Sequence, residues 1–129
     1  MALLTYLVED NRTIRDNLIP ALEDLSSVRI VGFAETETAA IEWLAAHAQE
    51  WQLLVVDLFL KEGSGLGVLR SCAARSRMQR AVVLSNYVNA DIRARCKALG
   101  ADAVFDKSKD LEAFFDYCNS NGNPGGRAS

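Results

Sequence analysis

The chain has 129 residues, a length typical of one domain and too short for two independent hydrophobic cores. Half of the residues are hydrophobic and 24% are charged, which excludes a disordered, collagenous or low-complexity protein. The formal charge is −3 and like charges form no block, so composition indicates neither a nucleic-acid-binding surface nor an anionic-membrane surface.

The expected lack of a targeting segment and the cysteine usage both indicate a cytoplasmic protein. No apolar run approaches the roughly 18–20 residues of a membrane span, and the start, MALLTYLVEDN, soon reaches acidic residues. We therefore expect neither a signal peptide nor an anchor. Cys72, Cys96 and Cys118 are widely spaced in apolar helical patterns, which is typical of reduced core thiols rather than of disulfides or a zinc site.

Short apolar segments rich in β-branched residues alternate along the chain with segments of helical periodicity. The predicted strands are, in chain order, Leu3–Val8, Val28–Phe33, Leu53–Val56, Ala81–Leu84 and Ala103–Phe105. The third and fourth are continuously hydrophobic, as expected for strands that are covered on both faces of a parallel sheet.

Each predicted strand is followed by a predicted helix with one apolar face. The residues that mark these faces are Ile14, Leu18, Leu22 and Leu25, then Ala40, Ile41, Leu44 and Ala48, then Leu66, Leu69, Cys72 and Ala73, then Ile92, Cys96 and Leu99, and finally Leu111, Phe114, Phe115 and Cys118. Asn11 and Asn89 are predicted N-caps, and Gly100 a C-cap.

Five strand-and-helix repeats predict a doubly wound α/β fold, in which a five-stranded parallel sheet lies between two layers of helices. In such folds ligands bind outside the carboxyl ends of the strands. The end of the chain, NSNGNPGGRAS, is rich in Gly, Asn and Ser. We therefore expect one domain over residues 1–120 and a flexible tail or linker over 121–129.

Polar side chains follow four of the predicted strands, at the edge where ligands are expected. They are Glu9, Asp10, Asp57, Ser85 and Lys107. Three carboxylates that lie close together repel one another, so we expect a divalent cation between them. Mg²⁺, or Mn²⁺ in its place, suits Asp10, Asp57, the backbone carbonyl of Phe59 and water. A lysine and a hydroxyl beside the metal favour phosphoryl transfer, with Asp57 as the nucleophile.

From Leu3 to about Ser120 this arrangement resembles the receiver domain of two-component response regulators. The resemblance rests on the acidic pair in LVEDN, on VVDLFL followed by the turn GSGL, on the hydroxyl in VVLSN and on the lysine in GADAVFDKS. It implies a flavodoxin-like strand order, 2-1-3-4-5. In that family a partner histidine kinase or phosphotransfer protein phosphorylates the aspartate of the third strand, which corresponds to Asp57.

The resemblance also implies roles for the other residues. Asp10 is expected to bind Mg²⁺ directly and Glu9 through water, while Ser85 is the switch hydroxyl and Lys107 pairs with the phosphate. The protein is then a phosphoprotein of a phosphorelay, not an enzyme beyond assisting its own phosphorylation and dephosphorylation. Its output surface lies near the fourth and fifth elements.

Two positions at the fifth strand depart from the family pattern. The family commonly has Tyr or Phe three residues before the lysine, where this chain has Val104. Phe105 points to the opposite face of its strand, so we expect it to be a packing ring. Ser108 replaces the usual proline, and we expect it to cap the last helix.

Phe59 and Tyr87 each lie two residues beyond a site residue, at positions that modulate phosphoryl lifetime in the family. We expect their rings to hinder the attacking water and to lengthen that lifetime.

Other functions are weighed against this one. An aspartate-nucleophile, Mg²⁺-dependent phosphatase typically has a second acid where this chain has Phe59, and no insertion is long enough for a substrate cap. A nucleotide or flavin module lacks its Gly-rich phosphate loop. A degenerate receiver that acts only as a protein-interaction module would have lost site residues that are all present.

The expected partners are a histidine kinase or phosphotransfer protein and either a downstream protein or an effector domain outside this chain. The sequence leaves open whether it is a stand-alone receiver or part of a larger regulator, and whether it forms a homodimer through the fourth and fifth elements. No direct contact of this domain with nucleic acid or membrane is expected.

Overall fold

The structure is a computed structural model that describes residues 3–122. Five parallel strands form one sheet in the order β2-β1-β3-β4-β5, which confirms the predicted fold class and strand order. The strands are β1 (Leu3–Val8), β2 (Val28–Ala34), β3 (Leu53–Val56), β4 (Arg80–Ser85) and β5 (Ala103–Asp106). All five predicted strands are present, with bounds that differ by no more than one residue.

A helix follows each strand. The helices are α1 (Arg12–Leu25), α2 (Glu37–Ala46), α3 (Gly65–Ser71), α4 (Ala90–Ala98) and α5 (Leu111–Gly122). No helix among the described residues is long and apolar enough to cross a membrane. The predicted tail at 121–129 lies outside the described residues from 123 onward, and residues 121 and 122 end helix α5.

Alternating side chains of the central strands build two hydrophobic cores, one on each face of the sheet. Val8 and Val56 pack with α2, α3 and α4, whereas Leu7 and Val55 pack with α1 and α5. The continuous hydrophobicity of β3 follows from this arrangement, because all four of its residues are buried.

The predicted caps of α1 and α4 are confirmed. The side-chain oxygens of Asn11 and Asn89 accept hydrogen bonds from the amides of Ile14 and Ile92, at 3.0 and 2.8 Å. Gly100 follows α4 with a φ of +102°, a conformation that favours glycine.

The expectation for Ser108 is wrong. It lies in the turn before α5, and both its amide and its hydroxyl donate to Asp106, at 2.8 and 2.6 Å. These bonds close the turn locally and lower the pKa of Asp106. Asp106, two residues earlier at the end of β5, thus accepts both donors of Ser108, and the serine does not cap α5.

Several side chains at helix ends also differ from the prediction. Ala48 and Ala73 lie beyond the ends of α2 and α3 and are exposed. The buried face of α1 begins at Arg15, since Ile14 is only half-buried. Phe105 is a packing ring as predicted, in edge contact with Phe114.

The three cysteines are buried and free, as predicted. Burial raises the pKa of the Cys118 thiol to about 12.

Candidate functional site

The register of the sheet brings the ends of β1 and β3 to one level. Val8 pairs with Val56, and the amide of Asp57 donates to the carbonyl of Val8 at 2.9 Å. The amide of Glu9 donates to the carbonyl of Ala34 on the other side, also at 2.9 Å. Glu9 and Asp57 therefore leave the sheet side by side at its carboxyl edge.

Three carboxylates meet at this edge. Oxygens of Glu9, Asp10 and Asp57, one from each, all lie within 4.8 Å of one another. Glu9 and Asp57 are buried, at 2% and 7% exposure, while Asp10 is half-buried. A cluster of carboxylate oxygens with one side open to solvent is a donor set that fits a hard divalent cation such as Mg²⁺.

Asp57 lies at the centre of the site, and both of its oxygens are engaged. Oδ1 accepts from the Ser85 hydroxyl at 2.9 Å and from the Phe59 amide at 3.3 Å. Oδ2 accepts from Lys107 Nζ at 3.0 Å. These three bonds hold the carboxylate in one orientation.

Lys107 joins the first strand to the third. Its ammonium group pairs with Glu9 Oε1 at 2.5 Å as well as with Asp57. Burial by itself would lower the pKa of Lys107, but the hydrogen bonds and charges of the two carboxylates outweigh it and raise that pKa. One lysine against three carboxylates leaves excess negative charge, which favours a cation.

At Glu9 the effect of burial on the pKa exceeds that of the neighbouring lysine. Burial raises its pKa, and the hydrogen bond and charge of Lys107 only partly oppose that effect. The Glu9 carboxylate also accepts from the amide of Asn11 at 3.1 Å. Glu9 is thus built into the loop, whereas the Asp10 side chain is more open to solvent.

The structure brings all of the polar residues predicted for the site together: Glu9, Asp10, Asp57, Ser85 and Lys107. Phe59 and Tyr87 lie at the rim with their rings 53% and 71% exposed. The two rings meet edge to face at 5.8 Å between centroids. They form one aromatic flap, made of Phe59 and Tyr87, beside the open side of the site.

The sequence interpretation missed Arg15 and Glu35. Arg15 lies beneath the acidic loop, donates to the carbonyl of Glu9 at 3.0 Å and pairs with Glu35 at 2.9 Å. The signal was present in the sequence, because Arg15 precedes Leu18 and Leu22 at helical spacing on the buried face of α1. A charged residue on such a face needs a partner nearby.

Comparison with known proteins shows that the sequence is similar to response regulators. The sequence profile of the response regulator receiver domain matches residues 5–119, nearly the whole chain. The response regulator UvrY of Escherichia coli O6:H1 is 24% identical over 101 residues, which cover 78% of this chain and 45% of that protein. The chain therefore spans about half the length of the curated relatives it matches.

Solved structures show the same fold at low sequence identity. A LuxR-family DNA-binding response regulator from Staphylococcus aureus superposes with a TM-score of 0.80 at 13% identity, over 92% of this chain and 98% of that one. The CheX-CheY-BeF3-Mg²⁺ complex from Borrelia burgdorferi superposes with a TM-score of 0.75 at 15% identity, over 89% and 88% of the two chains.

Proposed function

Since the chain belongs to the receiver domain family of two-component response regulators, we propose that Asp57 is its phosphoacceptor. The observation that carries this assignment is the placement of Asp57, whose oxygens contact Lys107 and Ser85 within 4.8 Å of two further carboxylates. No other described carboxylate shares a cation, a hydroxyl and two acids in this way. The protein is a signalling module in which one buried aspartate carries the signal.

The transfer we propose is a single displacement. A carboxylate oxygen of Asp57 forms a bond to phosphorus while the bond from phosphorus to the donor's imidazole nitrogen breaks, and the electron pair stays on that nitrogen. Lys107 then faces both the acceptor and the incoming phosphoryl oxygens, so its charge balances theirs. The chain supplies orientation and charge, and by the same means it assists the later hydrolysis.

Mg²⁺, or Mn²⁺, fits the oxygen donors of this edge. We assign Asp10 and Asp57 as direct ligands together with the Phe59 carbonyl, and Glu9 as a ligand through water. When bound, the cation neutralises charge on the transferring phosphoryl group. Glu9 is buried and paired with Lys107, which supports its indirect role, while the half-buried Asp10 is free to turn toward a cation.

Ser85 is proposed as the switch residue. Its hydroxyl donates to Asp57, and its carbonyl accepts from the amide of Lys107 at 2.9 Å, so β4 and β5 both end at the acceptor. A phosphoryl group adds about −1.5 to −2 charge and three acceptor oxygens there. Drawing Ser85 and Lys107 toward it would bias the packing of α4 and β5, the proposed output surface.

The partners follow from this role. Receiver domains in general exchange phosphoryl groups with histidine kinases or phosphotransfer proteins, and we propose one of these as the donor to Asp57. The output is then a downstream protein or an effector domain outside this chain, or a second copy docked on α4 and β5. Buried free cysteines support a cytoplasmic setting. No role for this domain in binding nucleic acid or membrane is proposed.

Two of the alternative functions, the phosphatase and the degenerate receiver, fit the geometry less well. A phosphatase would need an acid at position 59, where an exposed phenyl ring stands. A degenerate receiver would lack part of the cluster, yet Ser85 and Lys107 bind Asp57, and oxygens of Glu9 and Asp10 lie within 4.8 Å of it.

The test is phosphorylation by acetyl phosphate with Mg²⁺, followed by intact-protein mass spectrometry. We expect wild type to gain one phosphoryl group and Asp57→Asn to gain none. Asp106→Asn is the matched control, because Asp106 is also a buried acid at a strand end but binds only Ser108 and the turn. Equal labelling of Asp57→Asn and wild type would refute the assignment.

A further inference from the structure

Arg15 is the buried cation of this edge that the proposed transfer does not use. Its side chain is 7% exposed, and a single nitrogen, Nη1, serves two acceptors. These are the carbonyl oxygen of Glu9 at 3.0 Å and Glu35 Oε2 at 2.9 Å. A buried guanidinium held at two points is a rigid anchor for whatever backbone it contacts.

The backbone that Arg15 contacts is the peptide between Glu9 and Asp10, the two acids that follow β1. A peptide unit is planar, so fixing its carbonyl oxygen also fixes the direction in which the Asp10 backbone continues. The Glu9 amide is held by Ala34 and its carboxylate by the amide of Asn11. Lys107 also pairs with that carboxylate, and Arg15 adds a restraint on the Glu9 carbonyl.

The guanidinium is itself held from the second strand. Its Cζ lies 4.2 Å from the centroid of the Phe33 ring, and Glu35 follows two residues later. Lys61 also reaches Glu35, at 3.3 Å, but its side chain is 64% exposed. Arg15 is therefore the buried member of this network, Glu35 is partly exposed, and Lys61 adds an exposed contact.

We propose that Arg15, held by Glu35, is a positioning residue that fixes the Glu9–Asp10 turn for Mg²⁺ binding. This inference rests on the proposed function, because it assumes that the carboxylates of this edge hold the cation. Arg15 acts through the backbone carbonyl of Glu9 and does not touch the cation.

If Arg15 is replaced by a neutral residue, loss of its charge and loss of its positioning role predict opposite changes in Mg²⁺ affinity. The proposal is therefore testable. Removing the positive charge of Arg15 leaves the region more negative, so long-range electrostatics alone would strengthen Mg²⁺ binding. Loss of the anchor would weaken it, because the turn must then be ordered when the cation binds. Residues that orient metal ligands typically contribute about 10- to 100-fold to metal affinity.

The experiment is a MgCl₂ titration of the full chain, followed by the NMR shifts of the Asn11 and Phe59 amides, which donate to site carboxylates. We expect Arg15→Met to weaken Mg²⁺ binding about tenfold. The double variant Arg15→Met/Glu35→Gln, which removes both charges of the pair, should show the same loss. Arg15→Lys keeps a charged donor and should fall between wild type and Arg15→Met.

A metal-free measurement separates positioning from general destabilisation. The amide of Asn11 should exchange with solvent faster in Arg15→Met than in wild type, because the turn is released. Arg75→Met is the matched control, since Arg75 is 9% exposed and pairs with Asp102 at 2.7 Å away from the acidic loop. It should lower stability yet leave Mg²⁺ affinity unchanged, and Lys61→Met should change that affinity by less than about twofold.

The outcomes separate the two proposals. Wild type that shows no saturable response to Mg²⁺ would overturn the proposed metal site and this inference with it. Wild type that binds Mg²⁺ while Arg15→Met binds equally or more tightly would overturn the positioning role alone. A loss in Arg75→Met equal to that in Arg15→Met would also overturn it, because the effect would then be one of stability.

Discussion

Lys107 couples the charge of the site to the stability of the fold. Its folded pKa lies above the ordinary value of 10.5, because Glu9 and Asp57 outweigh burial. The stabilisation it provides is therefore fully present below pH 10.5 and is lost as the pH rises through the higher folded value. We expect Lys107→Met to reduce the alkaline fall in unfolding free energy, measured by denaturant titrations at a series of pH values.

The control for this measurement is Lys109→Met, which removes an exposed lysine of the adjacent turn. It should keep the wild-type pH dependence. An alkaline fall of the same size in Lys107→Met and wild type would show that the ion pairs with Glu9 and Asp57 do not stabilise the fold.

The aromatic flap of Phe59 and Tyr87 should control water at the acceptor. We propose that the two rings, in edge-to-face contact beside Asp57, hinder the water that hydrolyses the acyl phosphate. Phe59→Asn should therefore speed loss of the phosphoryl group severalfold, on the order of 1 kcal/mol in the barrier. The measurement is the decay of the phosphorylated mass after removal of the donor.

Met78→Asn is the control for the flap, because Met78 is 72% exposed and lies in the loop before β4, at the opposite end of that strand from Ser85. It should leave the decay unchanged. Slower decay in Phe59→Asn would contradict the shielding role, since the smaller amide opens the approach to phosphorus.

At the scale of single residues, the sequence predicted which side chains lie together but not which of them pair with each other. Parallel strands place their following residues at one edge, so Asp57 and Lys107 could be brought together from topology alone. That Glu9 rather than Asp10 pairs with Lys107 depends on which side chain turns inward. Helical spacing indicates that Arg15 is buried, but no sequence pattern shows that it donates to the carbonyl of Glu9.

Helix α4 is fastened to its neighbours through Arg93. Nη1 donates to the carbonyl of Val104 at 2.8 Å, and Nη2 pairs with Asp110 at 3.2 Å, so one side chain joins α4, β5 and the start of α5. Val104 occupies the position where the family commonly has an aromatic ring. A guanidinium bound to the strand backbone therefore links helix and strand here.

Arg93→Ala should loosen α4 without unfolding the domain. We expect faster amide hydrogen exchange over α4 and a loss of about 1 kcal/mol in unfolding free energy, because one charge-assisted bond to a backbone carbonyl disappears. Arg95→Ala changes an exposed arginine of the same helix and should leave both quantities near wild type. Equal exchange in the two variants would show that Arg93 does not hold the helix.

The elements themselves were largely predictable, since burial on both faces makes β3 and residues 81–84 of β4 uniformly apolar. The helices were predictable from their apolar faces. The ends of the strands and helices were less predictable. Helix α2 begins at Glu37, whose carboxylate accepts from the amide of Ser64 at 2.8 Å beside Gly63 in a left-handed conformation. This contact joins residues far apart in the chain, and local periodicity cannot show it.

For the molecule as a whole, the mutual repulsion of the three carboxylates lowers stability, and the cation proposed for this edge would offset that cost. Two like charges about 4.8 Å apart repel by roughly 1 kcal/mol in water and by about 3 kcal/mol near a protein surface. The proposed phosphorylation of Asp57 would add further negative charge to the same edge. Moving the domain from 1:99 to 99:1 between two packings requires about 5.5 kcal/mol, so a weaker coupling gives a graded output.

Asp10→Asn should therefore stabilise the protein in the presence of a chelator and abolish its response to Mg²⁺. The amide removes one of the three repelling charges without changing the shape of the side chain, so we expect about 1–2 kcal/mol of added stability without metal. Mg²⁺ should raise the thermal midpoint of wild type, because it binds the folded state, and should leave that of Asp10→Asn unchanged. Asp116→Asn, on the exposed side of α5, should respond like wild type. If chelation leaves the wild-type midpoint unchanged while Asp10→Asn lowers it, Asp10 supports the fold directly and the carboxylates of this edge do not form a metal site.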